Sequence, residues 1–177
     1  MNAIEARTSR PQPDEYGPFY KNYIAQVTET DILDAMRSQR DDVVRLLRAQ
    51  PESVGGVRHP PYTWSVKDVV GHITDAERIF GYRALRFARA DTTPLPGFDD
   101  NEYVRVAGFD RTALAKIVDE FESVRNANLL MFENFPTEAW PRRGEANKSP
   151  LSVRALAYII VGHARHHTVI LKKRLGA

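Results

Sequence analysis

The chain has 177 residues, with 25 Lys and Arg against 23 Asp and Glu, five His and no Cys. That length suits one domain over 1–177 with a real core, and a net charge of +2 carries no polycationic signature of nucleic-acid binding. Without cysteine the chain forms no disulfide, Cys-ligated zinc site, iron–sulfur cluster or protein thiol nucleophile, so any sulfur chemistry uses sulfur from the substrate.

Residues 1–18 are polar and proline-bearing, with no stretch resembling a signal peptide. The longest strongly apolar run, 155–161, is far below the roughly 20 residues that cross a bilayer. A cytoplasmic protein without membrane contact is expected. Pro11, Pro13 and Pro18, interleaved with Tyr16, Phe19, Tyr20 and Tyr23, predict an extended N-terminal arm over 1–27 that lies against the rest. A first helix is predicted over 31–49, capped by Thr30, with Ile32, Leu33, Met36, Val43, Val44, Leu46 and Leu47 at helical spacing. Pro51 and Gly55-Gly56 end it.

A second helix is predicted over 65–89, where Ser65 and Asp68 form a variant capping box. Val66, Val69, Val70, Ile73, Ala76, Ile79, Phe80 and Ala84 give its buried stripe. Residues 91–97 read as irregular and 98–106 as a short helix before Gly108. A third long helix, capped by Asp110, runs to about 133 on Leu114, Ile117, Val118, Phe121, Val124 and Leu129. Pro136 and Pro141-Arg-Arg-Gly144 make the next loop. The last helix, capped by Ser149 or Ser152, reaches nearly to Leu175, where Lys172-Lys173-Arg174 offsets the helix dipole. No strand-length alternation competes, so the fold class is all-α, a four-helix bundle.

The histidines are the informative feature. His163 and His167 are four apart and share one face of the last helix. That face is the apolar stripe through Val153, Leu156, Ile160 and Ile170, while His72 occupies the stripe of the second helix between Val69 and Ala76. A lone core histidine is usually a hydrogen-bonded packing residue, but paired imidazoles one turn apart are a standard chelate for a divalent metal, and a third completes a three-ligand site. His72 lies about 12 Å from the start of its helix and His167 roughly 12 Å from the end of its own, at 1.5 Å per residue. The levels therefore match only if the two helices run antiparallel. A simple up-down-up-down bundle makes them parallel, and the ligands miss by about 10 Å. An up-down-down-up bundle needs a long crossover between helices two and three, and residues 90–109 reach roughly 60 Å when extended.

Three neutral imidazoles leave positions open to water or substrate, a catalytic pattern. The metal of choice is zinc, with nickel, iron and manganese also suited to imidazole. The stretch His163-Ala-Arg-His-His167 has the ligand spacing of a zinc-protease helix but carries Ala164 where that chemistry needs Glu, which excludes proteolysis.

Three segments now combine. Tyr62-Thr-Trp-Ser-Val-Lys-Asp-Val-Val-Gly-His72-Ile-Thr-Asp-Ala-Glu-Arg78, Leu95-Pro-Gly-Phe-Asp99 and Ser152-Val-Arg-Ala-Leu-Ala-Tyr-Ile-Ile-Val-Gly-His163-Ala-Arg-His-His167 resemble the DinB/YfiT-like metalloenzyme superfamily. The resemblance implies an up-down-down-up bundle and a three-His divalent-metal site at His72, His163 and His167. It also implies a reaction class, because members of assigned activity are mostly transferases using low-molecular-weight thiols such as bacillithiol or mycothiol, or thiol-dependent isomerases. The family's DNA-damage label concerns expression, so no nucleic-acid partner is implied; relatives often dimerise, which leaves a homodimer open.

Around the three histidines, Asp75 is a candidate to orient His72, or a solvated helix residue. Glu77 and Arg78, with Arg83 and Arg86, either form ion pairs or contact an acidic substrate. Asp99 and Tyr103 in the crossover are candidates for pocket lining; His166, which points about 60° off the ligand stripe, either makes a hydrogen bond elsewhere or joins that lining. Tyr16 and Tyr20 are candidate pocket covers, and Trp64 and Trp140 read as packing anchors. The expected function is transfer of a small thiol, activated at the metal, onto a small electrophile. The alternatives are a metal-assisted hydrolase, a non-catalytic metal-binding or ligand-binding bundle, and an interaction protein with structural histidines.

Overall fold

Four long helices begin where a side chain takes up free backbone N–H groups. In the computed structural model, which describes residues 2–176, these are α3 (Ile32–Arg48), α4 (Val66–Ala88), α6 (Leu114–Glu133) and α7 (Val153–Leu175). Ser65 and Asp68 form the expected reciprocal capping box at α4, with bonds of 2.8 and 3.1 Å. Ser152 caps α7, accepting from the Ala155 amide at 2.9 Å. At α3 the cap is Asp31 rather than Thr30, its carboxylate accepting from the Leu33 amide at 2.9 Å. Asp110 does not cap α6. It lies in a 3-10 turn at Phe109–Arg111, and the first amide of the helix instead donates to the Glu52 carboxylate, 62 residues away, at 2.8 Å.

Contacts fix the helix directions. Arg37 pairs with Glu133 and Arg48 with Asp119, so α3 and α6 are antiparallel. Arg78 pairs with Glu120 while Gly81 packs on Asn128, so α4 and α6 are parallel. Phe80 meets His163 and His72 meets His167, so α4 and α7 are antiparallel. The order is up-down-down-up. The crossover between α4 and α6 holds a short helix, α5 (Asp100–Ala107), whose N-terminal amides are met by Asp99.

Two further expectations are corrected. The N-terminal segment is not an extended arm. It folds into α1 (Ala3–Thr8), two 3-10 turns and α2 (Lys21–Ala25), and buries Tyr20, Ile24 and Val27 against α7 and its neighbours. A carboxylate fixes its middle: buried Glu15 accepts from the Ser152 hydroxyl at 2.7 Å and from Arg154 at 2.5 Å. The second correction is a hairpin, β1 (Arg143–Ala146) against β2 (Ser149–Ser152), where the sequence pattern showed none. Asn147 and Lys148 both take positive φ, 50° and 59°, which turns the chain in two residues. Leu95 ties the crossover to this hairpin, donating to the Glu145 carbonyl at 2.9 Å and accepting from the Asn147 amide at 3.0 Å.

The core is double. One cluster gathers α2 with the first part of α3, the second half of α4 and the first half of α7, around Phe87, Tyr158 and Ile160. The other gathers the C-terminal parts of α3 and α7 and the N-terminal parts of α4 and α6 around Leu47, Ile73, Ile117 and Phe121. Each fully buried side chain of this size stabilises the fold by about 1.5–3 kcal/mol. Between the clusters lie polar side chains: the ion pair Glu77–Arg125, with Gln39 and Asn128, and the imidazoles of His72 and His163. Among the described residues no helix is long and apolar enough to cross a membrane.

Candidate metal centre

The antiparallel pairing of α4 and α7 brings His72, His163 and His167 to one level. His72 Nε2 and His163 Nε2 stand 3.0 Å apart, and one ring nitrogen from each of the three lies within 4.8 Å of the others. The ring centroids are 4.7–4.9 Å apart. Two glycines let the neighbouring segments close in. A Cβ at Gly162 would stand 2.0 Å from the Tyr23 carbonyl oxygen, so only glycine allows α2 to lie this close to α7. Tyr23 then sets its ring edge against His163, with centroids 5.4 Å apart. A Cβ at Gly71 would meet the Phe109 ring at 2.3 Å, so only glycine lets the end of the crossover pack this closely on the first half of α4, next in sequence to His72. The Trp64 ring lies against the His72 imidazole, with centroids 4.8 Å apart.

Burial sets the charge state. His72 and His163 are buried and His167 half-buried. Desolvation lowers the pKa of His72, against a smaller opposing pull from Asp100. It lowers His163 well below the usual histidine range, helped by the neighbouring imidazoles, and brings His167 down to about 3. At neutral pH all three rings are therefore uncharged, the state in which imidazole nitrogen is a ligand. Two nitrogens bound to one zinc at 2.0–2.1 Å in tetrahedral geometry stand about 3.3 Å apart, which falls within the observed spacing. The donor set fits a borderline divalent ion.

The cluster forms one wall of a cavity of about 260 Å³. Tyr20, Tyr23, Phe80 and Phe98 line it, together with Arg83, Asn147 and Asp100. The structure places the other sequence candidates as follows. Asp75 faces Arg78 at 3.5 Å, and burial raises its pKa; no hydrogen bond joins it to His72 among the described contacts. Glu77 points the other way, into the bundle, where it pairs with Arg125 and accepts from Asn128 at 3.0 Å; it does not line the cavity. Asp99 is spent on the cap of α5, and the acid that reaches the cavity is its neighbour Asp100. Tyr103 lines an adjoining pocket with Tyr82, Arg83 and Phe98. His166 is exposed, with its ring against Tyr23 and His167. Sequence reasoning missed Asp100, Phe80 and Asn147. For Phe80 the signal was present, since it sits two turns beyond His72 on the same stripe.

A family model of the DinB superfamily matches residues 35–171. The chain belongs to the DinB superfamily. The match spans α3 to α7 and includes all three histidines. Among solved structures, this DinB-superfamily chain resembles YfiT from Bacillus subtilis, with a TM-score of 0.68 at 13% identity over 97% of this chain and 98% of that one. That protein is described as a probable metal-dependent hydrolase with an unusual four-helix bundle topology. At this identity the likeness establishes the shared fold. No curated protein sequence matches the chain.

Proposed function

We propose that the chain is a divalent-metal-dependent enzyme that activates a small thiol for transfer onto a small electrophile. The observation that supports this is the convergence of three neutral, largely buried imidazoles on the wall of a cavity. His72, His163 and His167 would hold the ion, with zinc the best match to the donor set. When bound, such an ion supplies a Lewis acid that lowers the pKa of a thiol or a water molecule. The chain's own groups supply the rest. Tyr20, Tyr23, Phe80 and Phe98 shape a cavity of small-molecule size beside the imidazoles. Among the described residues Asp100 is the one carboxylate lining that cavity, which makes it the candidate to take the proton that the nucleophile gives up. The thiol comes from solution, because the chain has none.

A second reading, metal-assisted hydrolysis, draws support from the description of YfiT. One set of measurements separates the readings. Protein purified without a histidine tag is expected to hold a stoichiometric divalent ion, lost in the folded His72→Ala/His163→Ala/His167→Ala variant. A thiol-consumption screen against electrophiles then reads transfer, and product release without thiol reads hydrolysis. If no ion is bound and none can be loaded, both readings fail.

A further inference from the structure

Three arginines are more than nine-tenths buried: Arg83 at 3% exposure, Arg125 at 0% and Arg154 at 8%. Two of them have a buried carboxylate partner, Arg125 with Glu77 and Arg154 with Glu15. Arg83 has none among the described residues. Its donors reach the Pro96 carbonyl at 3.0 Å, and the Tyr20 hydroxyl lies beside it. Its neighbours on α4 do not share this condition, since Arg78 pairs with Glu120 and Arg86 with Asp91. A guanidinium carries five N–H donors and a charge it does not give up, so burying it without a counter-charge is unfavourable.

The location supplies a reason. Arg83 lines the cavity that holds the three imidazoles and also the adjoining pocket, standing at the wall between them. The Phe80 ring bridges the gap, 5.8 Å from the Arg83 guanidinium carbon and 5.8 Å from the His163 ring. Both sit on the stripe of α4 that includes His72 and Ala76. We propose that Arg83 is the recognition point for a carboxylate on the substrate, holding it one aromatic ring's length from the imidazoles. A planar carboxylate matches one guanidinium fork with two parallel hydrogen bonds. A phosphate dianion fits less well, because Asp100 lines the same cavity and only one arginine does. The walls beside Arg83 are aromatic and apolar, from Tyr20, Phe80, Phe98 and Leu95, so the favoured molecule is an apolar or aromatic monocarboxylate. The inference rests on the histidine cluster being where the substrate reacts, but carboxylate binding itself does not need the metal.

The test therefore uses metal-free protein and two probes of equal shape, benzoate and benzamide, titrated by calorimetry. Wild-type protein is expected to bind benzoate about tenfold or more tightly than benzamide. Arg83→Gln is expected to lose that preference while keeping its benzamide affinity, and Arg83→Lys to keep part of it. Equal affinity of wild-type protein for both probes, or an unchanged preference in Arg83→Gln, overturns the proposal. Should Arg83→Gln fail to fold, the wild-type side-chain ¹⁵N resonances of Arg83, assigned with Arg83→Lys, must shift with benzoate and stay still with benzamide. The same titration on the triple His→Ala variant separates the two claims. A retained benzoate preference there, with no metal loading in the wild type, upholds Arg83 and removes the catalytic reading; loss of the preference there overturns Arg83 as an independent carboxylate site.

Discussion

The Glu77–Arg125 pair gives the most demanding prediction, because it separates a structural from a functional role for Glu77. Arg125 is fully buried and Glu77 is 2% exposed, and the two are joined through Nε at 2.7 Å and through a second, shorter contact. Glu77→Gln removes the counter-charge and leaves the guanidinium in place, still bonded to the Gln39 side chain at 2.6 Å and the Met36 carbonyl at 3.0 Å. Breaking one partner of a buried pair costs about 3–5 kcal/mol. For a chain of this length each kcal/mol moves Tm by about 2–4 °C, so the expected loss is about 6–20 °C. Thermal unfolding followed by circular dichroism measures the shift, and urea unfolding the free-energy loss. Glu77→Met with Arg125→Met is expected to recover much of the loss, since apolar side chains of similar length replace a desolvated pair without stranding a charge. A loss below about 1 kcal/mol, the range of an exposed pair, refutes the reasoning. So does a Glu77→Gln protein of wild-type stability that fails to bind a divalent ion where the wild type binds one, which would return Glu77 to the histidine cluster.

Two further outcomes follow from the site itself. His72, His163 and His167 all titrate below 6.5 in the folded chain because burial disfavours the charged ring. The unfolded chain then binds protons that the native one refuses, so metal-free protein loses stability as pH falls below about 6.5, and goes on losing it towards pH 3, where His167 titrates; above 6.5 these groups contribute nothing. The slope is at most about 1.4 kcal/mol per pH unit for each histidine, read from urea midpoints at pH 7.5, 5.5 and 4.5, and identical slopes in the triple His→Ala variant count against it. Gly162→Ala places a methyl group where the Tyr23 carbonyl oxygen now lies, 2.0 Å from the new Cβ, and forces α2 off α7. A loss of about 1–3 kcal/mol is expected, with the Tyr23 environment changed in near-ultraviolet circular dichroism; a variant with wild-type stability and spectrum contradicts the close packing.

Much of the bundle was legible because helical periodicity and caps are local signals. Ser65, Asp68 and the stripe from Val66 to Ala84 define α4 within one residue of its observed start. The histidine levels, through the rise per residue, required antiparallel helices and therefore a crossover, which is an argument about geometry rather than composition. What stayed hidden depends on contacts distant in sequence. Glu52 caps a helix 62 residues away, and Glu15 meets Arg154 across 139. The hairpin has a Pro in one strand, and its Asn147-Lys148 turn lacks the glycine that usually marks such a turn; its pairing leans on Leu95. Glu77 and Arg83 are ordinary helix charges in sequence, and only the packing around them shows that one is paired within the bundle and the other left open to the cavity.

The crossover also determines what a severed chain could do. His72 and His163 are 91 residues apart, and the connection between α4 and α6 lies between them. Neither half of a protein cut there contains the full histidine set. Any ion the cluster holds would clasp two pieces that share no covalent bond, and its affinity would measure how well they find each other. Metal retention after a nick in that segment thus becomes a gauge of reassembly, reporting on the whole bundle from three imidazoles.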